Sequence, residues 1–270
     1  MPAISRGFKG REVKSSHKDY LSWCREKVKK FPVVMPHHER AQKGTINPYK
    51  FVQNLFKKLP PDCTIVTGDG TAAVVTFKAA NLSKNQRLFT NKGCASMGFD
   101  LPAIIGAHAA SPDNPIVCIA GDGSLMMNLQ EMQTIIQHKI PVKLFVLNND
   151  GYHSIRQSQT NYFDGFEVGC GPDSGVSFPN FKSISKAFGF NYACIDSSTN
   201  SHEIIVDVLA FNGPMFCEVF IDKEQLFEPR VSSKKTTSGK MVSNPLEDMT
   251  PLLSREQLKA EMIIDLWQEV

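Results

Sequence analysis

The sequence predicts an α/β domain with an open, mostly parallel sheet and helices on both faces, followed by an extended C-terminal tail that ends in a helix. Largely apolar runs at 116–120 and 142–147 are typical of strands buried on both faces. A Gly-rich or Asn-rich turn and then a helical pattern follow each run. That order is typical of the βαβ units from which parallel sheets are built.

Composition limits the classes of protein that the chain can be. Its 270 residues suffice for one α/β domain with flanking segments, and 41% hydrophobic and 21% charged residues are ordinary for a globular chain. A net charge of +3 does not favour a nucleic-acid partner. The seven cysteines include no CxxC pair, which indicates a reducing compartment and no zinc site. No apolar run is long enough to span a membrane, so we expect a cytoplasmic protein.

The N-terminal segment, residues 1–46, is predicted to be a tail and linker. Residues 1 to about 18 are polar and basic without periodicity, so we expect poor order there. The amphipathic spacing from Tyr20 to Val28 predicts a short helix, and two prolines after it predict an extended linker.

The main domain is predicted to span residues 47–228. Asn47 followed by Pro48 is a typical helix start, with a cap and a first-turn proline. Strands are predicted at 64–67, 87–90, 116–120, 142–147, 192–195 and 215–221, and helices at 48–59, 101–110, 129–136, 181–188 and 201–211. Glycines in residues 157–180 predict a long loop that acts as a mobile flap.

Residues 229–270 are assigned to the C-terminal tail and helix. Prolines and Ser/Thr pairs predict an extended chain for the first part of this segment. Ser254, with Gln257 three residues later, predicts a capped helix that runs to about Trp267.

A carboxylate and a carboxamide are expected to meet at one edge of the sheet. Asp122 follows one predicted strand and Asn149 follows the next, and a right-handed crossover brings such ends together where open α/β sheets bind ligands. Their oxygens, with a main-chain carbonyl of Gly151, suit Mg²⁺. Gly123 allows close approach of a phosphate, and the Ser124 hydroxyl can donate to it. An ordinary Gly-Asp-Gly turn is the alternative interpretation.

The run from Gly121 to Ser124, together with Asn148-Asn149, resembles the cofactor motif of thiamine-diphosphate-dependent enzymes. From about Tyr20 onward, the chain is similar to the C-terminal half of acetolactate synthase-like proteins. The resemblance implies thiamine diphosphate and Mg²⁺ as cofactors, with Asp122, Asn149 and Gly151 as metal ligands. It implies cofactor contacts by Met97, Gly121, Asp122, Gly123, Ser124, Asn149, Gly151 and Tyr152.

Three positions keep more than one interpretation. The Gly68–Thr71 turn is by itself an equal candidate for phosphate binding, but the family usually shows a Gly-Gln-His-like sequence there, so its contacts stay open. The resemblance implies that Met97 supports the bent shape of the cofactor, whereas the pattern alone makes it the start of a helix core face. His153 is either a proton-transfer group near the cofactor or a solvent-facing or structural histidine.

The resemblance also implies a reaction and a substrate class. It implies a lyase or transferase that decarboxylates a 2-oxo acid such as pyruvate and joins the product to an acceptor carbonyl. Ser158 stands where acetolactate synthases usually carry Trp, which implies an altered acceptor pocket. The runs 151–156 and 245–249 resemble relatives encoded with surface-polysaccharide sugar pathways, which use other acceptors.

Activity is expected to require a second domain. In the resembling family, a glutamate on the N-terminal domain of a neighbouring subunit activates the cofactor, and no matching motif occurs in this chain, so no catalytic residue is assigned. We expect a homo-oligomer, or a hetero-oligomer with a pyrimidine-binding subunit, and a chain that is inactive alone as a split subunit or fragment. The alternative is a regulatory protein that binds a cofactor or nucleotide without turnover.

Overall fold

The computed structural model describes residues 14–235 and 239–266 and contains a six-stranded sheet in the order β2-β1-β3-β4-β6-β5. Every neighbouring pair in this sheet is parallel, which confirms the predicted open α/β fold. The strands are β1 (Thr64–Thr67), β2 (Arg87–Phe89), β3 (Ile116–Gly121), β4 (Lys143–Asn148), β5 (Asn191–Ile195) and β6 (Met215–Phe220).

Ten α-helices occur within the described residues, and most of them flank the sheet. They are α1 (Ser15–Lys30), α2 (Pro48–Phe56), α3 (Thr71–Ala79), α4 (Asp100–Ala110), α5 (Asp122–Met127), α6 (Glu131–Gln137), α7 (His153–Tyr162), α8 (Phe181–Phe188), α9 (Ser201–Ala210) and α10 (Arg255–Glu261). As predicted, Asn47 caps α2 by accepting the N–H groups of Tyr49 and Lys50. Among these residues, no helix combines the length and the apolar character needed to cross a bilayer.

Two separate core clusters cover the two faces of the sheet. Val117 and Ile119 of β3 pack with α2, α3 and α9, whereas the alternate residues Cys118 and Ala120 pack with α4, α5, α6 and α8. Successive side chains of a strand point to opposite faces, so both faces of the sheet are buried. This double burial is the reason that the strands read as apolar runs without alternation.

The chain leaves the middle of the sheet in opposite directions. From β1 it crosses to β2 on one side, and from β3 it crosses to β4 on the other. The carboxyl ends of β1, β3 and β4 therefore lie side by side at one edge of the sheet. Such a switch point leaves a crevice between adjacent loops, where open α/β sheets bind their ligands.

Several predicted boundaries differ from the structure. Helix α1 begins at Ser15, earlier than expected, and the helix predicted at 129–136 is α6, which a further short helix, α5, precedes. Between α5 and α6, Asn128 leaves helical geometry and its side chain donates to the Gly98 carbonyl at 2.8 Å. The predicted loop 157–180 was wrong in its first part, because α7 continues to Tyr162, with Gln157 buried against Arg230.

The C-terminal tail, predicted to be an extended chain, forms strand pairing that was not predicted. It contains an antiparallel pair of short strands, β7 (Ser233–Lys235) and β8 (Met241–Ser243). Ser254 caps α10 as predicted, but the helix ends at Glu261, where the next residue, Met262, has an extended backbone. The predicted helix end at Trp267 and the predicted poor order of residues 1–13 lie outside the described residues.

Candidate functional site

A cavity of about 190 Å³ lies at the carboxyl ends of β1, β3 and β4. The structure brings all eight predicted cofactor residues to this cavity: Met97, Gly121, Asp122, Gly123, Ser124, Asn149, Gly151 and Tyr152. The turn after β1 adds Asp69, Gly70 and Thr71, and α7 adds His153, Ser154 and Ile155.

Asp122 is a buried carboxylate at the end of β3, only 2% exposed. Its oxygens accept three main-chain N–H groups, from Gly123 at 2.7 Å, Asn149 at 3.0 Å and Gly151 at 3.1 Å. Burial raises the pKa of Asp122 to about 7, and these three hydrogen bonds oppose that shift. Asp122 has no ion pair among the described residues, so a bound cation would supply the missing positive charge.

Asn149 follows β4 and is 6% exposed. Its amide nitrogen donates to the Thr71 hydroxyl at 3.1 Å. The amide oxygen, Oδ1, is buried and accepts no hydrogen bond within the described part of the chain. An unpaired buried polar atom costs about 1–3 kcal/mol. An unpaired amide oxygen next to a buried carboxylate fits a hard cation such as Mg²⁺, which prefers oxygen ligands.

Two glycines at the site cannot carry a side chain. A Cβ atom on Gly123 would lie 2.2 Å from the ring of Tyr152, which packs directly on this part of the backbone. Gly151 has φ +142°, and a Cβ atom there would lie 1.9 Å from the Cys170 carbonyl oxygen. Both contacts explain why these positions bring main chain, rather than side chains, to the cavity.

The turn after β4 is held by a polar network that is partly buried. Asn148 accepts the N–H of Asp150 at 3.0 Å through its side-chain oxygen and donates to Glu218 at 2.7 Å through its side-chain nitrogen. The Tyr192 hydroxyl donates to the other Glu218 oxygen at 2.6 Å. This network supports Asp150, whose φ of 57° is unusual for a residue other than glycine.

Ser124 differs from expectation in what its hydroxyl binds. The hydroxyl donates to Asp100 at 2.6 Å and accepts the N–H of Gly98 at 2.9 Å, so its proton is directed into the protein. Asp100 is fully buried, and burial raises its pKa, while the hydrogen bond from Ser124 opposes the rise. The hydroxyl therefore joins α5 to the start of α4.

The family to which this architecture belongs is shown by sequence comparison. A family model described as "Thiamine pyrophosphate enzyme, C-terminal TPP binding domain" matches residues 67–219, more than half of the chain. The chain belongs to this family. Thiamine pyrophosphate is a second name for thiamine diphosphate, so the resemblance seen in the sequence is confirmed.

Relatives of this thiamine pyrophosphate enzyme domain include acetolactate synthase large subunits. The isozyme 1 large subunit of Escherichia coli (strain K12) is 33% identical over 171 residues, which are 63% of this chain and 30% of that protein. The large subunit of Parasynechococcus marenigrum (strain WH8102) is 30% identical over 217 residues, 80% of this chain and 34% of that protein. The chain thus spans about a third of the length of these curated relatives.

A solved structure supports the fold. The thiamine diphosphate-dependent 4-hydroxybenzoylformate decarboxylase of Rhodococcus jostii RHA1 aligns with a TM-score of 0.59 at 23% identity. The alignment covers 68% of this chain and 34% of that chain. At this identity the likeness concerns the fold alone.

The structure places the residues of this thiamine pyrophosphate enzyme domain whose roles the sequence did not decide. Met97 is half-buried at the cavity and lies outside both core clusters. Asp69 also lines the cavity, so both Gly-Asp-Gly turns contribute to it. Ser158 is exposed and donates to the Ser154 carbonyl at 2.9 Å, one turn beyond the cavity lining.

His153 begins α7 and is 6% exposed, so it is not a solvent-facing residue. Its ring packs edge-on against Phe227 with centroids 4.9 Å apart. Neither ring nitrogen has a hydrogen bond of regular geometry within the described residues. Burial lowers the pKa of His153, while the carbonyl groups of Gln225 and Lys223 oppose the shift. The histidine is therefore neutral at neutral pH.

Sequence reasoning missed three buried polar residues that support the site, namely Asp100, Arg156 and Glu218. Asp100 and Glu218 interrupt apolar stretches, which is a usable signal, because a carboxylate inside such a stretch needs a buried hydrogen-bond donor. Arg156 gave no such signal, since it lies in a polar run.

Proposed function

We propose that this chain binds thiamine diphosphate through Mg²⁺, as part of an acetolactate synthase-like enzyme that acts on a 2-oxo acid such as pyruvate. The observation that carries the proposal is the unpaired, buried Asn149 Oδ1 in the same cavity as the buried Asp122 carboxylate. The bound cofactor supplies stabilisation of a carbanion, and the protein supplies placement and electrostatics.

The metal ligands in this proposal are Asp122, the Asn149 side chain and the Gly151 carbonyl. Thr71 orients the Asn149 amide, and the absence of a side chain at Gly121 lets the diphosphate approach the main chain. Met97, on the loop before α4, is placed to contact the cofactor between its two rings, where a flexible thioether fits well.

The substrate class rests on the relatives, whose names describe acetolactate synthases. In our proposal a 2-oxo acid loses CO₂ and its remaining fragment is joined to an acceptor carbonyl. The exposed face of α7 next to the cavity carries the small residues Ser154 and Ser158, which leave room for an acceptor. Acceptors larger than those of acetolactate synthases are therefore compatible with this site.

Binding and turnover are tested separately. Calorimetric titration of thiamine diphosphate should show binding with Mg²⁺ and none with a chelator. No binding in the presence of Mg²⁺ would contradict the proposal. Release of CO₂ from pyruvate by the assembled enzyme would distinguish it from the alternative, a regulatory protein that binds the cofactor without turnover.

We also propose that turnover needs a pyrimidine-binding domain, supplied by a partner subunit in a homo- or hetero-oligomer or by another part of a longer polypeptide. The 270 residues contain one six-stranded sheet unit in their described part. Exchange of the cofactor C2 proton, followed by NMR, should be slow with this chain alone and fast once such a domain is added. Fast exchange with the chain alone would contradict this proposal.

A further inference from the structure

Arg156 is a buried cation, 8% exposed, whose hydrogen bonds go to main-chain carbonyl groups. Its guanidinium donates to Asn149 at 3.4 Å, to Asp150 at 3.0 Å and to Cys170 at 3.3 Å. The first two carbonyls belong to the turn after β4, and the third belongs to the flap, defined here as residues 163–180 between α7 and α8. One side chain thus binds both segments.

The packing around Arg156 is close on both sides. A Cβ atom on Gly151 would lie 2.9 Å from Nη2 of Arg156, and one on Gly171 would lie 2.7 Å from the same atom. The Cys170 carbonyl also accepts the Tyr152 N–H at 2.8 Å. The turn and the flap therefore meet through main-chain groups, with the guanidinium as the shared donor.

An ion pair does not account for the placement of Arg156. The nearest carboxylate, that of Glu167, lies 3.8 Å away and is over a third exposed, which makes the pair weak. A planar guanidinium with five donors can serve several carbonyl groups at once, which a lysine cannot do in the same geometry. The turn needs such support because Asp150 has a positive φ.

We infer that Arg156 is a positioning residue for the metal ligands, and that it couples the order of the flap to the turn that carries Asn149 and Gly151. This inference rests on the proposed function, because it assigns the turn to Mg²⁺ and thiamine diphosphate. Arg156 acts through main-chain carbonyls and contacts neither the metal nor the cofactor in this scheme. Its removal lets both the turn and the flap move.

The chain offers a matched control in Lys143, which is 7% exposed and also donates to three carbonyl groups. Its ammonium group binds Pro141 at 3.2 Å, Phe211 at 2.7 Å and Gly213 at 2.7 Å. Lys143 begins β4, whereas the turn follows the other end of that strand. Lys143→Gln therefore removes a similar buried cation at the opposite edge of the sheet.

The test compares Arg156→Gln, Arg156→Lys and Lys143→Gln with the wild type by two readouts. The first is hydrogen–deuterium exchange of residues 149–152 and of the flap without ligands. The second is calorimetric affinity for thiamine diphosphate with Mg²⁺. We expect Arg156→Gln to speed exchange in both segments at least about tenfold and to lower affinity about 10- to 100-fold, the usual cost of losing an outer-shell partner. Arg156→Lys should be intermediate, and Lys143→Gln should change neither readout at the site.

The outcomes separate this inference from the proposed function. If the wild type binds no cofactor, the proposed function fails, and the exchange data still decide whether Arg156 ties the turn to the flap. Exchange rates equal to those of the wild type in both Arg156 variants would overturn the inference, even if affinity falls. The residue would then act by its charge alone. Equal effects of Lys143→Gln would also overturn it. If Arg156→Gln does not fold, Arg156→Lys decides the question by the same readouts.

Discussion

The two Gly-Asp-Gly turns have the same local sequence pattern and different surroundings. Gly68–Thr71 follows β1 and Gly121–Ser124 follows β3, and both strands lie in the middle of one parallel sheet. Asp122 is buried and accepts three main-chain N–H groups, whereas Asp69 is only half-buried at the rim of the cavity. Of the two turns, only the one after β3 thus holds a buried carboxylate, and our proposal assigns the metal to it.

The neighbouring strand accounts for this difference. Two of the three donors to Asp122 come from Asn149 and Gly151, on the turn after β4. The turn after β1 lies between the turn after β3 and the loop after β2. The loop after β2 is mostly exposed. In our proposal, a Gly-rich turn therefore becomes a metal site through the turn beside it, and its own sequence does not suffice.

The hydroxyl that follows each Gly-Asp-Gly also has a different partner. The Thr71 hydroxyl accepts a hydrogen bond from the Asn149 amide nitrogen and so orients a proposed metal ligand. The Ser124 hydroxyl donates to the Asp100 carboxylate and so joins α5 to the start of α4. In our proposal, the turn after β1 orients one metal ligand, Asn149, through Thr71, and the turn after β3 contributes another, Asp122, and uses its hydroxyl for stability.

The largest predicted difference is between the two aspartates. Asp122→Ala should lower the affinity for thiamine diphosphate with Mg²⁺ by more than about 100-fold, because the metal would keep only neutral protein ligands. Asp69→Ala should lower it less than about tenfold. Calorimetry on both variants makes the comparison, and equal losses would mean that the two turns are equivalent.

Thr71→Val should have the next largest effect, a loss of affinity of about tenfold. The substitution removes the acceptor of the Asn149 amide nitrogen, so the amide is free to rotate and its oxygen is no longer fixed. Thr71→Ser is the control, since it keeps the hydroxyl and should restore affinity to within about threefold of the wild type. An unchanged affinity in Thr71→Val would show that Asn149 needs no orienting partner.

Ser124→Ala should act mainly on stability. It leaves the buried Asp100 carboxyl without its side-chain donor, which costs about 1–3 kcal/mol in the free energy of unfolding. Thr71→Val should lower stability less, because the amide that loses its partner lies at a cavity. Denaturant unfolding of the two variants measures the difference, and a larger loss in Thr71→Val would reverse our assignment of the two hydroxyls.

The smallest effect on the cofactor is predicted for Ser158→Trp, outside both turns. The residue is exposed and does not line the cavity, so cofactor affinity should stay within about twofold. In the assembled enzyme, however, the indole should reduce turnover of large acceptors more than that of small ones, because it fills space beside Ser154. Equal effects on both acceptor sizes would place Ser158 away from the acceptor.

The sequence was sufficient for the sheet and for eight of the residues that line the cavity. Its buried strands and Gly-rich turns are local patterns, and the parallel crossover then determines that Asp122 and Asn149 meet. It was insufficient for the partners of those residues, since the bonds from Asn149 to Thr71 and from Ser124 to Asp100 join distant segments. The continuation of α7 to Tyr162 was missed because tertiary contacts of Gln157 support the helix there.

The most direct test of the central claim is a crystal structure of the chain with thiamine diphosphate and Mn²⁺ in place of Mg²⁺. Mn²⁺ prefers the same oxygen ligands and gives an anomalous signal that locates it. We predict one anomalous peak within about 2.2 Å of Asp122, Asn149 Oδ1 and the Gly151 carbonyl oxygen, with Asp69 outside the coordination sphere. A peak at Asp69, or a bound diphosphate with no metal at Asp122 and Asn149, would contradict the account.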